Sequence, residues 1–220
     1  MKYKIIDEDN HLLVVEKLPN VPVQKDSSND LDLSTMLKQY LKHKYNKPGN
    51  IYLGMVHRLD RPVGGLMVFA KTSKAASRLS EIIRNKQFVK KYLAVVEGKM
   101  KEESKTIDHY LIKDKETNIS KIVSSSEKEA KKASLSYQVL KYDAKRNLSL
   151  IEVNLLTGRH HQIRVQLAGI RHPIYGDQKY NNNSQKGIQI HLYASEIEFL
   201  HPVKRKNVKF TCLPEHFIIK

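Results

Sequence analysis

The first apolar clusters along the chain, YKIID at 3–7 and LLVVE at 12–16, flank the turn-prone Glu8-Asp9-Asn10-His11 and predict a β-hairpin. Pro19 and Pro22 then hold the backbone extended, because proline fixes its own φ and restricts the residue before it. From Leu33 the period changes: apolar side chains at 33, 36, 37, 40 and 41 share one helical face, with Asp30 or Asp32 placed to cap it and KPGN at 47–50 to end it. GGLMVFAK at 64–71 is a short apolar run bounded by glycines and a Thr-Ser pair, which predicts a buried strand. Ser73 is the expected cap of a following helix whose Ala75, Ala76, Leu79, Ile82 and Ile83 share a face. KKYLAVVEG at 90–98 predicts another strand.

Residues 114–134 interrupt this pattern with a polar, Ser/Lys/Glu-rich stretch that reads as a loop or mobile hairpin. Strand-like segments resume at SLSYQVLKY and NLSLIEVNLL, so the polar stretch is not read as an interdomain linker. The strand at 148–156 should end at Thr157-Gly158, and a helix should start near His160 with Ile163, Leu167 and Ile170 as its buried stripe. QIHLYASEIEFLHP and VKFTC supply further strands. The tally, roughly eight or more strands with three or four helices, predicts an α+β fold with a largely antiparallel or mixed sheet. At 220 residues the chain is most simply one domain, 1–220.

Charge narrows the class. Lys and Arg total 39 against 23 Asp and Glu, a formal charge of +16 with pI 9.7, which points to a polyanionic partner, nucleic acid before membrane. Cys212 is the lone cysteine, so neither an intramolecular disulfide nor a cysteine-based metal cluster is possible, and a reducing compartment fits. The N-terminus has no apolar core of signal-peptide length and no run reaches membrane-spanning length, so a cytoplasmic protein without membrane contact is expected.

HRLDRPVGG at 57–65 places one carboxylate, Asp60, between Arg58 and Arg61. Nearby guanidinium groups favour the charged form of a carboxylate, leaving it available as nucleophile or base, although an inert salt bridge explains the same residues. His57, His160, His161 and His191 carry no recognised ligand spacing, so no metal is expected; they are structural residues or phosphate contacts. Phosphate-loop, dinucleotide and serine-hydrolase motifs are absent. Tyr92 is either packing or a platform for an exposed base. Arg159 and Arg164 in TGRHHQIR are further basic candidates. Arg164 lies beside the buried stripe, where a guanidinium requires a carboxylate such as Asp60.

Together these segments resemble the RluA family of RNA pseudouridine synthases. HRLDRPVGGLMVFAKT is similar to the family's HRLDxxTSGxxxxAK motif, QFVKKYLAVVEG to its strand with a Lys/Arg-Tyr pair, and LLTGRHHQIRVQLAGIRHPIYGDQKY to its LxTGRxHQIRxxxxxxGxPIxGDxxY stretch. IHLYASEIEFLHP resembles its closing LHAxxLxFxHP. The resemblance implies a central mixed sheet with the catalytic cleft across it, isomerisation of uridine to pseudouridine in a ribosomal or transfer RNA stem-loop, and no cofactor. It implies Asp60 as the catalytic aspartate, Tyr92 as the aromatic against the target uracil, Arg164 as the ion-pair partner of Asp60, and Arg58 as the residue that fills the space left by the extruded nucleotide. Arg61, His57, Arg159 and His161 are the remaining expected RNA contacts, and a monomer with no obligatory protein partner is expected. Two departures stand out: Val63-Gly64 replaces the usual Thr-Ser, and KLPNVPVQK replaces a segment near KPxGLxVHP. With no N-terminal RNA-binding domain expected, target selection falls to the catalytic domain. The altered loop leaves a second reading, a non-catalytic RNA-binding or RNA-folding protein that retains the fold.

Overall fold

The computed structural model describes residues 2–219. The chain folds into two units, one running up to Val89 together with Ala194–Leu213, the other Lys90–Tyr193 together with the segment from Pro214.

In the first unit β1 (Tyr3–Glu8) and β2 (Leu12–Lys17) form the expected antiparallel hairpin. Its turn is closed by Asp9, whose Oδ1 accepts from the His11 and Leu12 amides at 2.8 Å each. The strand order is β1-β2-β4-β10, where β4 is Gly64–Ala70 and β10 is Leu192–Leu200, with the two-residue β3 (Gly54–Met55) on β4 and β11 (Asn207–Thr211) on β10. Every residue of β2 and β4 is buried, which is why these strands read as continuous apolar runs rather than alternations.

Helix α1 (Leu33–Lys44) buries Leu33, Leu37 and Leu41. Of the two candidate caps Asp32 is the one used: its Oδ1 accepts from the Thr35 amide at 3.0 Å and its Oδ2 from the Thr35 hydroxyl at 2.7 Å. Helix α2 (Ser73–Arg84) is capped by Thr72 instead of Ser73, because Thr72 keeps an extended backbone while Ser73 is already helical. Ala75, Leu79 and Ile82 of α2 pack on Leu12, Val14, Leu66, Val68, Ala70, Ile197 and Phe199 in one core.

The second unit has the order β5-β9-β8-β6-β7, antiparallel throughout, from β5 (Val89–Glu97), β6 (Ser104–Asp114), β7 (Ile119–Val123), β8 (Lys131–Asp143) and β9 (Leu148–Leu155). Of the two readings of the polar stretch, loop or hairpin, the structure has the hairpin: β7 pairs antiparallel with the end of β6 along five residues, with turns on either side of β7. Helix α3 (Gln162–Gly169) starts close to His160, as expected, with His161 at its N-cap. Val165 packs on Leu111 and Ala133, while the Gln166 amide donates to the Ile107 and Ala133 carbonyls at 3.2 Å each. The α+β class expected from the pattern is the class observed, with eleven strands and three helices among the described residues.

Candidate active site

The loop carrying Asp60 is fastened to the end of β2. Lys17, fully buried, faces Gly65 in the β2–β4 register and donates from Nζ to the carbonyl oxygens of Arg61 and Val21 at 2.9 Å and of Leu18 at 3.2 Å. Three acceptors match the three donors of an ammonium. Burial pulls the Lys17 ammonium down to about 7; the charge of Asp60 opposes this and that of Arg61 adds to it. Asp60 is half-buried, and its carbonyl closes a turn by accepting from the Val63 amide at 3.0 Å. Val63 is buried in the core, so the position matched to the family's threonine is filled by an apolar branched side chain. Gly65 has φ +120°, and a Cβ there would fall on the backbone of Ala194. That position therefore admits only glycine, while Val63 and Gly64 need no hydroxyl to make the turn.

The other residues expected at this loop separate into two kinds. Arg58 is exposed. Arg61 points its guanidinium at the 26–30 loop, with Nη1 donating to Asp26 at 3.0 Å and to the Ser28 hydroxyl at 2.6 Å and Nη2 pairing with Asp30. His57 accepts the Val68 amide proton at Nε2, 3.1 Å away, and lies against Phe88 at 5.5 Å between ring centroids. A ring nitrogen that accepts a backbone N–H is unprotonated, so this is a structural bond for a neutral imidazole.

In the second unit Tyr92 lies on β5 opposite Val153, which lies opposite Tyr137 on β8, and all three are buried. Arg164, the third residue of α3, is buried and carries a fork-shaped ion pair: Nε donates to Asp177 Oδ2 at 2.8 Å and Nη2 to Asp177 Oδ1 at 2.7 Å. Asp177 also accepts from the Lys179 and Tyr180 amides, which orients the carboxylate. The Tyr180 ring lies 5.2 Å from the Arg164 guanidinium, and its hydroxyl accepts from the Ser120 amide at 2.7 Å and shares a hydrogen bond with His161 Nδ1 at 2.8 Å. Burial raises the Tyr180 phenol. His161 adopts a left-handed backbone, φ 51°, and stacks on His160 at 3.7 Å, so the adjacent pair turns the chain into α3. Arg159 is exposed and its Nε donates to the Lys132 carbonyl at 3.0 Å.

The sequence pattern calls for a carboxylate against the buried Arg164, and Asp177, in the GDQKY stretch that follows α3, is one that the fold supplies. Tyr180, Ser120 and Lys17 carry no signal of a site role in the sequence. Nothing in LLVVEK marks its lysine as buried, since a terminal lysine is ordinarily solvated.

A family model described as RNA pseudouridylate synthase matches residues 11–169. Over 199 residues, 90% of this chain, the sequence is 31% identical to an RNA pseudouridine synthase of Bacillus subtilis, and 64% of that relative's length is covered. It is 32% identical to ribosomal large subunit pseudouridine synthase C of Buchnera aphidicola across 98% of this chain and 68% of the relative. The chain thus spans about two thirds of the length of these curated relatives. Among solved structures, human RNA pseudouridylate synthase domain containing 4 superposes with a TM-score of 0.80 at 25% identity, covering 97% of this chain and 90% of that one. A match that takes in the Asp60 loop, Tyr92, Arg164 and both compact units leaves one conclusion: the chain belongs to the RNA pseudouridylate synthase family.

Proposed function

We propose that the protein isomerises uridine to pseudouridine in a structured RNA, with ribosomal RNA as the first substrate to test and transfer RNA as the second. The observation that supports this most is the Asp60 loop, held on one side by Lys17 and on the other by the glycine that only Gly65 can supply, so that a half-buried carboxylate is presented on a rigid turn. In this reading Asp60 removes the C2′ proton of the ribose as the N1–C1′ bond breaks, leaving a glycal and a detached uracil. The base turns, C5 bonds to C1′ as the C2′ proton returns, and the proton lost from C5 is balanced by the one gained at N1. No atom is gained or lost, in keeping with chemistry that needs no cofactor.

Tyr92 is assigned to the uracil face and to proton removal at C5, Arg164 to the charge of the catalytic carboxylate, and Arg58 to the gap left by the extruded nucleotide. Extrusion is needed because the glycosidic bond is inaccessible within a stack, and unstacking costs a few kcal/mol. Arg159, His161, His57 and Arg61 complete the assignment as residues that shape or line the RNA-binding surface. The test is Asp60→Asn against wild type on a large-subunit ribosomal RNA transcript. The variant should bind the RNA and form no pseudouridine. Equal product from both forms rules out Asp60 as the catalytic group, and RNA binding without product from wild type on either RNA favours the non-catalytic reading.

A further inference from the structure

Lys90 is a charged group that none of the roles above uses. It lies on β5 two residues before Tyr92, so the alternation of a strand puts both side chains on the same face. Among the described residues its ammonium has no hydrogen bond and no ion pair, and burial alone lowers its pKa. Its neighbour Lys91 points to the opposite face and is paired with Glu152 of β9 at 3.0 Å, so among the described residues one of the two lysines has a carboxylate partner and the other has none. The loop above Lys90 contains Gly158, which is exposed; a Cβ built there would stand 3.5 Å from the Lys90 nitrogen. A larger side chain at 158 would cover the ammonium, and glycine leaves it approachable from solvent. Arg159, the next residue, is exposed and adds a second positive group to the same rim.

Desolvating an ammonium without a partner costs free energy in the isolated protein. That cost is recovered when an anion arrives, and in a chain of net charge +16 the anion most readily offered is a nucleic-acid phosphate. We propose that Lys90 is the binding residue for a backbone phosphate of the RNA, received through the opening at Gly158 on the sheet face that carries Tyr92. The inference rests on the reading of the chain as an enzyme acting on RNA and adds to it a fixed point that would set the register of the strand relative to Tyr92. It differs from the diffuse attraction of surface lysines, because a phosphate here meets a partly dehydrated cation whose counter-charge is otherwise missing.

The experiment uses the full chain and a fluorescently labelled oligouridylate, with dissociation constants measured over a range of salt concentrations for wild type, Lys90→Met, Lys90→Arg and, as a control, exposed Lys145→Met. Loss of one phosphate contact on a single strand should reduce the slope of log K against log salt by ~0.7 for Lys90→Met. Arginine should restore the slope and the control should leave it unchanged. The thermal midpoint of RNA-free Lys90→Met should equal or exceed that of wild type, since an uncompensated cation has been removed. A salt slope equal to that of wild type overturns the assignment, and a fall in the midpoint alongside it identifies a purely structural lysine. Binding is scored without turnover, so failure of the Asp60 test and failure of this one are distinguishable.

Discussion

Lys17 Nζ donates to the carbonyl oxygen of Arg61 across 2.9 Å, joining the last residue of β2 to the residue that follows Asp60. The same ammonium holds Leu18 and Val21, so one buried group sets both the KLPNV segment and the Asp60 loop. With Asp60 as the proposed catalytic group, Lys17 is its positioning residue. Lys17→Met should lower kcat by about tenfold to a hundredfold with a smaller change in KM, because displacing a reacting group by about an ångström costs on that order. Steady-state pseudouridine formation checks the split; a change confined to KM would show that the loop keeps its place without the lysine.

The same residue predicts a pH dependence of stability. Folded, Lys17 keeps its proton only up to about 7; unfolded, a lysine keeps it to ~10.4. Between these values the unfolded chain binds more protons, so stability rises with pH through that window. Groups common to both proteins cancel in the comparison of wild type with Lys17→Met. Wild type should therefore gain on the variant by ~1.4 kcal/mol per pH unit above about 7 and by nothing below it. Urea unfolding at a series of pH values measures this directly, and a difference independent of pH would contradict it.

The pair Arg164–Asp177 is the most deeply buried ion pair among the described residues. Asp177→Asn keeps the shape and removes the charge, leaving a guanidinium in the interior with no compensating carboxylate on its Nε and Nη2. Breaking a buried pair in this way costs about 3–5 kcal/mol. Chemical denaturation should show that loss, together with weaker protection of the Tyr180 and Lys179 amides from hydrogen exchange, because both donate to Asp177.

How far each of these features could be read beforehand follows from the physics of each. The hairpin at β1–β2, the buried run of β4 and the leucine face of α1 were legible because period and turn chemistry are local. Strand β6 was not: only Ile107 and Leu111 among its residues are buried, four apart, a spacing closer to a helix than to a strand. Asp30 and Asp32 are equivalent as caps in the sequence, and only the fold commits Asp32 to α1 and Asp30 to Arg61. At the site, HRLD and TGRHHQIR were visible as motifs, whereas the burial of Lys17 follows from the pairing of β2 with β4, and the fork on Asp177 from the return of the chain after α3 onto Arg164.

Gly65 tests how strictly the Asp60 loop is shaped. Gly65→Ala combines a positive φ with a collision against the Ala194 backbone, which cannot move without moving β10. Gly49 offers a control, since its φ of +79° is also left-handed but its Cβ position is open. Gly49→Ala should cost only the ~1–2 kcal/mol of a left-handed alanine. Gly65→Ala should cost far more and yield little soluble, cooperatively melting protein; equal thermal shifts for the two would show that the close approach is not limiting.

Arg61 meets Asp26 and Asp30 on an exposed loop, with Ser28 between them. Exposed pairs of this kind add little to stability, so their effect should be felt in RNA binding instead. The two carboxylates lower the local positive potential and hold the guanidinium away from an incoming phosphate. Asp26→Asn combined with Asp30→Asn should leave the thermal midpoint nearly unchanged, tighten RNA binding and steepen its salt dependence, because Arg61 is freed and two negative charges are removed. Arg61→Gln in the same background should cancel the gain. Affinity for oligouridylate that stays at the wild-type value in the double variant would mean that Arg61 serves the loop alone, with its carbonyl on Lys17 and its side chain on the 26–30 segment as its whole role.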